Sequence, residues 1–288
     1  MTRSINLDKL FTPTPHLEIE FEIIQFSGGE IHIKLDNNVD YSVVEKVIIT
    51  NRFKSGDDII KVLITKDALQ RKGVNSFDLV MPYIPYARQD RQCFNGESFT
   101  LKVFSGLINL AKFDNVIALD SHSDVAPALI ENCKNIPNNE YVEMTYYDIA
   151  EHNDADVLLV SPDAGANKKS NKLFESLNLF KGLVKCDKKR DVSNGKLSGF
   201  EVFAEDLNGA CCLIVDDICD GGRTFTGVAE ALKAKNAGNI YLFVTHGIFS
   251  NGFDELGKYF KTIYTTNSFK DVQNANVKQF KIQLWLKN

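Results

Sequence analysis

The chain has 288 residues, enough for one large or two ordinary domains, and its 44% apolar and 25% charged content is that of a globular protein. A formal charge of −5 speaks against a nucleic-acid-binding face, which would be basic, though not against a local basic pocket for an anionic substrate. No apolar run approaches the ~20 residues needed to span a bilayer, so no membrane partner is expected.

Met1–Asn6 lacks the apolar stretch of a secretion leader, which points to a cytoplasmic protein. The six cysteines show no CxxC pair and read as reduced, buried thiols rather than disulfides or a zinc site.

In chain order, residues 17–35 alternate apolar and polar as two strands, joined by Phe26-Ser27-Gly28-Gly29-Glu30. Val47–Ile49 is a short buried strand. Ser55 and Asp57 can cap the helix after it, with Ile59, Ile60, Leu63 and Ile64 facing inward and Gly73 ending it. Leu79–Met81 is a further strand, and two prolines fix the extended loop Pro82-Tyr83-Ile84-Pro85-Tyr86-Ala87-Arg88-Gln89-Asp90-Arg91 at its end. Phe99–Lys112 reads as a helix with Phe104, Leu107, Ile108 and Ala111 inward. Val116–Leu119 then delivers Asp120-Ser121-His122.

The alternation starts again after a boundary near residues 134–146, which divides the chain into 1–137 and 138–288. Val157–Val160 delivers Ser161-Pro162-Asp163; a helix around Ser170–Leu177 and a strand Leu183–Lys185 follow. The polar, basic run from Asp187 to Ser198 reads as a mobile loop. Leu213–Val215 is a buried strand ending in the paired carboxylates Asp216-Asp217, then Asp220-Gly221-Gly222-Arg223-Thr224, where Thr224 can cap a helix through Lys233. Glycines that let backbone N–H groups close on an anion, next to a helix N-terminus, suggest a sugar phosphate as ligand. Ile240–Val244 ends in Thr245-His246-Gly247-Ile248-Phe249-Ser250, and Phe280, Ile282 and Leu284 alternate as an edge strand. Strands alternating with helices imply an α/β protein with a mostly parallel sheet built twice, its ligands beyond the strands' C-terminal ends.

Six motifs in order, from Phe26–Glu30 through Pro82–Arg91, Asp120–His122, Val160–Gly165 and Val215–Gly222 to Thr245–Ser250, closely resemble the ribose-phosphate pyrophosphokinase (phosphoribosyl pyrophosphate synthetase) family over roughly residues 24–265. The resemblance implies two phosphoribosyltransferase-like domains, the first carrying ATP motifs. It also implies transfer of the β,γ-diphosphate of MgATP to the anomeric hydroxyl of ribose 5-phosphate. On it, Phe26, Glu30, Arg88, Gln89 and His122 contact ATP, the first two across a subunit interface. His122 and Asp163 hold Mg2+ or its surroundings, and Lys188 and Arg190 are the catalytic cations. Asp216 and Asp217 hold the ribose hydroxyls, and Asp220, Gly221, Gly222, Arg223 and Thr224 the 5-phosphate. The family implies a homo-oligomer, dimer or hexamer. Taken singly, Asp163 could cap a helix, His122 could be an ordinary loop histidine, the basic run a solvated loop, and Phe26 plain core.

The departures are specific. The family's sugar-phosphate loop usually reads Asp-Thr-Gly-Gly-Thr; here a hydroxyl is absent at Gly221 and a cation stands at Arg223. Gly28 replaces the usual Asp or Asn, and Met1–Leu17 is too short and Pro-rich to supply the family's first strand–helix unit, which sets the hexamer and its control by ADP in question. A short, phage-type member serving NAD salvage would use ADP-ribose as acceptor instead. A nucleobase phosphoribosyltransferase and a silent regulatory subunit are the other readings, opposed by Arg88-Gln89 and by the retention of Lys188, Arg190, Asp163 and His122.

Overall fold

The computed structural model describes residues 1–153, 155–190 and 197–284, without the side chains of residues 189, 190, 197 and 198. The chain forms two compact units: Met1–Ile136 with the segment from Lys281, and Pro137–Phe280.

Among the described residues, the first unit rests on five parallel strands in the order β1 (Thr2–Asn6), β4 (Lys46–Thr50), β5 (Ser76–Val80), β6 (Asn115–Leu119) and β7 (Cys133–Ile136). The three central strands are buried at four of five positions, which is why they read as unbroken apolar runs. β2 (Phe21–Gln25) and β3 (Ile31–Leu35) make a separate antiparallel hairpin. The N-terminal stretch supplies a strand after all, since main-chain pairing asks little of its side chains; no helix separates β1 from β2.

Helix α1 (Gly56–Arg71) begins at Ser55, but Asp58 rather than Asp57 completes the cap. Its carboxylate accepts the backbone N–H of Lys54 at 2.7 Å and of Ser55 at 2.9 Å. Its buried face is Ile59, Val62, Thr65 and Leu69, leaving Ile60 exposed. In α2 (Thr100–Leu110) the inward stripe is Leu101, Phe104 and Ile108, and Leu107 lies off it and exposed. A short helix α3 (Val125–Leu129) precedes β7.

The second unit opens with α4 (Asn139–Glu151) and carries a seven-stranded sheet in the order β10 (Leu197–Val202), β9 (Gly182–Arg190), β8 (Val157–Ser161), β11 (Cys211–Cys219), β12 (Ile240–Gly247), β13 (Thr262–Thr266), β14 (Val277–Phe280). Among the described residues of that sheet, only the β9–β10 pair is antiparallel. Helices α5 (Asn167–Leu177) and α6 (Arg223–Lys233) connect it. α6 buries Phe225, Val228, Ala229 and Leu232 into one apolar cluster with Ile214, Leu242 and Val244. At about 1.5–3 kcal/mol per buried aliphatic side chain, that cluster is the anchor of the unit.

The two ends of the basic run are strand rather than loop: Lys188 and the backbone of Arg190 lie in β9, paired with Phe200 and Leu197. The remainder of the expected mobile loop, residues 191–196, lies outside the described residues. The expected C-terminal edge strand is β14, ending at Phe280. Ile282 and Leu284 are buried, but beyond the strand, and the Leu284 N–H donates to the Pro13 carbonyl at 2.7 Å within the first unit.

Candidate active site

In the second sheet the chain runs from β8 outward to β9, then returns to place β11 on the other side of β8. That reversal is a topological switch point, where the loops after neighbouring strands diverge and leave a crevice at the C-terminal ends. β8 delivers Asp163 there, β11 delivers Asp216 through Asp220, and β12 delivers Thr245 through Asn251.

Asp163 is not the cap of α5, which is Ala166; its Oδ1 accepts the Ala166 N–H at 3.1 Å and so fixes the turn just ahead of the helix. Its other oxygen receives Lys188 Nζ at 2.6 Å, with side chains 23% and 31% exposed. Two residues singled out from sequence 25 positions apart therefore form an ion pair. The Arg190 side chain lies outside the described residues.

Asp216 and Asp217 stand at adjacent positions of β11, the Asp217 N–H donating to Asp216 Oδ1 at 2.9 Å. Burial first, then repulsion by Asp217 and, more weakly, Asp163, pushes the Asp216 carboxyl well above the ordinary carboxylate range. A pair in that condition is stabilised by whatever donates hydrogen bonds to it, as ribose hydroxyls do.

The loop that follows is tied to the β12 loop. Ser250 donates its hydroxyl to Asp220 Oδ1 at 2.7 Å and its N–H to the Asp220 carbonyl at 3.2 Å; Asn251 Nδ2 donates to the Gly221 carbonyl at 3.2 Å. The cap of α6 is Gly222, at φ 82°, a conformation that favours glycine; Thr224 lies inside the first turn instead of capping it. Arg223 is the first helical residue and exposed; its carbonyl accepts the Thr226 hydroxyl at 3.1 Å, and its guanidinium has no hydrogen bond or ion pair among the described residues. His246 is structural: it is buried, with Nδ1 2.7 Å from the Ser268 hydroxyl, which itself donates to the Thr245 carbonyl.

In the first unit, Arg88 and Gln89 are exposed on the loop after β5, and His122 is exposed on the loop after β6. The Leu119 N–H donates to the Pro82 carbonyl at 2.9 Å, so the two loops leave the sheet side by side. Phe26 and Glu30 sit at the exposed tip of the β2–β3 hairpin, closed by the Phe26 N–H on the Glu30 carbonyl at 2.8 Å; Phe26 is 55% exposed and not core.

One signal escaped the sequence. Tyr86, Asp120 and Phe249 adopt left-handed backbone angles (φ 62°, 43° and 47°), which for tyrosine and phenylalanine is strained. Each lies inside a motif beyond a strand's C-terminal end, where shape is held at a cost to stability. Asn251 also went unnoticed, because no motif includes it.

The described residues hold no group of three or more His, Cys, Asp or Glu side chains arranged to hold a metal. The carboxylates of the second unit nonetheless suit Mg2+, which is commonly held by one or two carboxylates together with substrate phosphates rather than by an all-protein cage.

Residues 15–111 match the N-terminal domain of ribose phosphate pyrophosphokinase, and residues 136–283 match the phosphoribosyl transferase domain. The ribose-phosphate pyrophosphokinase of Bradyrhizobium diazoefficiens is 32% identical over 241 residues, covering 82% of this chain and 73% of that one. The chain belongs to the ribose-phosphate pyrophosphokinase family. The Maricaulis maris member is 32% identical over 253 residues, covering 87% of this chain and 77% of its own. The crystal structure of phosphoribosylpyrophosphate synthetase from Mycobacterium smegmatis superposes with a TM-score of 0.80 at 21% identity, over 98% of this chain and 94% of that one, which shows a shared fold. Membership makes the chain a diphosphotransferase, and that takes precedence over the nucleobase-transfer and silent-subunit readings. No helix among the described residues is long and apolar enough to cross a membrane.

Proposed function

We propose that the chain transfers the β,γ-diphosphate of ATP to the anomeric hydroxyl of ribose 5-phosphate, yielding phosphoribosyl pyrophosphate and AMP. The observation that carries this reading is the switch-point crevice of the second unit, where the carboxylate pair, the glycine loop and the Asp163–Lys188 pair stand on neighbouring strands. The acceptor oxygen bonds to the β-phosphorus as the bridge to the α-phosphate breaks, so AMP leaves with the bridging oxygen. Both transferred and leaving groups are anionic, and the work left to the protein is alignment and charge neutralisation.

Asp216 and Asp217 accept the ribose hydroxyls; Asp220–Thr224 and the start of α6 receive the 5-phosphate on backbone N–H groups. Arg88, Gln89 and His122 grip the triphosphate, Arg88 through its planar fork, and Phe26 with Glu30 meets the adenine. Lys188 and Arg190 bring positive charge to the diphosphate in transit. Magnesium, when bound, would neutralise triphosphate charge, with Asp163 and the paired carboxylates offering oxygens. The chain works on small molecules, as a homo-oligomer in the cytoplasm.

A second acceptor is favoured by one observation. Arg223 presents an exposed cation without a partner among the described residues beside the phosphate loop, where ADP-ribose would bring a second phosphate. AMP or equivalent nucleotide release, measured with ribose 5-phosphate and with ADP-ribose, decides between them. The first reading expects the higher kcat/KM with ribose 5-phosphate, and little change in it for Arg223→Gly. A tenfold preference for ADP-ribose that Arg223→Gly abolishes transfers the assignment to the second, and no turnover with either removes both.

A further inference from the structure

The glycine at 221 has no conformational reason to be there. Its φ is not in the left-handed region, unlike that of Gly222, so the backbone would admit any side chain. What stands in the way of one is a neighbour that would have to swing aside: a Cβ at 221 would stand 2.9 Å from Asn251 Nδ2, 3.7 Å from Asn251 Cγ and 3.9 Å from Ser250 Oγ. The first distance is shorter than real Cβ contacts, and the obstructing atom is the amide nitrogen that donates to the Gly221 carbonyl at 3.2 Å. The amide thus fills the space a side chain at 221 would take.

We infer that Asn251 is an acceptor-positioning residue, supplying from the β12 loop the polar group that the phosphate loop lacks at Gly221. A primary amide carries two N–H donors. One is spent on the Gly221 carbonyl, which fixes the loop; the other remains for an acceptor phosphate oxygen. Ser250 holds the adjacent residue, donating its hydroxyl to Asp220 Oδ1 and its N–H to the Asp220 carbonyl. Glycine at 221 and asparagine at 251 are therefore one device: a threonine at 221 would compete for the place the amide occupies.

The inference rests on reading Asp220–Thr224 as the acceptor-phosphate loop, and the test keeps the two apart. Steady-state kinetics on the full chain, varying acceptor and ATP separately, are measured for the native chain, Asn251→Gly, Gly221→Thr and the double variant, with thermal melts as a check on folding. Asn251→Gly is expected to raise the acceptor KM about tenfold, the loss of roughly one charge-assisted hydrogen bond, with the ATP KM within twofold. Gly221→Thr is expected to raise it further, and the double variant to return to within about threefold of the native value. Asn251→Asp, which turns a carboxylate toward the Gly221 carbonyl and the phosphate, is expected to do worse than Asn251→Gly. A double variant no better than Gly221→Thr overturns the inference, as does an equal rise in both KM values for Asn251→Gly. A native chain that turns over no sugar phosphate overturns the reading of the loop itself.

Discussion

Lys188→Ala separates catalysis from structure within a single side chain. Nζ lies 2.6 Å from Asp163 Oδ2, with both side chains less than one-third exposed. At an effective dielectric near 20, the gross attraction at that distance is about 6 kcal/mol. Desolvation and the ordering of a long side chain consume most of it, leaving about 1 kcal/mol net. In a unit of this size, that lowers Tm by only a few degrees. A cation that meets a migrating diphosphate should matter far more, about 3–5 kcal/mol in the barrier, or 10^2–10^4 in kcat. Coupled detection of AMP release, run beside calorimetric melts, should therefore show a small Tm shift with a large fall in kcat. Lys188→Arg should recover part of it, since charge is kept while the fork geometry differs. A fall in kcat of less than tenfold would refute the assignment.

Two further outcomes follow from the electrostatics. Asp216 is raised above its unfolded value, so the native state binds the proton more tightly. Stability is then greatest at low pH and declines as pH rises from about 4 through the raised native pKa. Asp216→Asn should accordingly raise Tm more at pH 8 than at pH 5 while weakening acceptor binding; a Tm gain independent of pH would contradict the cause. The Cys186, Cys212 and Cys219 thiols are pushed up to about 12, chiefly by burial, whereas Cys93 is exposed. Titration of the native protein with an aromatic disulfide at pH 8 should show rapid reaction at Cys93 and none at those three until denaturant is added. Fast labelling of any of those three would mean that the sheet opens readily around β9 or β11.

The strands nearest the crevice were the most legible, because a parallel strand covered on both faces leaves little freedom of composition: Leu213–Val215 and Ile240–Val244 could hardly be anything else. The motif residues at their ends were legible for the complementary reason, since charge pairs and glycines beyond an apolar run have few structural uses. Elements held by main-chain pairing or mixed faces were not. β13 (Thr262–Thr266) is buried between β12 and β14 yet three of its five residues are Thr, β14 carries Lys and Gln at the sheet edge, and α4 buries Tyr141, Val142, Thr145 and Ile149, a stripe diluted by a hydroxyl. The strand Leu183–Lys185 was legible, but its continuation through Asp187–Arg190 reads as loop because the lysines give no period, although backbone bonds need none. Asn251 was invisible altogether: its position matters only because Gly221, thirty residues earlier, leaves room for it.

The return of the chain to the first unit after Phe280 sets an order of events during synthesis. Residues 137–280 are contiguous and can close on themselves as soon as they have left the ribosome. The first unit has its sheet complete by Ile136, yet must wait through all of that length for Ile282 and Leu284. Until then the Pro13 carbonyl lacks the Leu284 N–H, and the burial of those two side chains has not been made. A segment made after the whole second unit thus completes the first, and a nascent chain stalled near Phe280 would present a finished second unit and an incomplete first one.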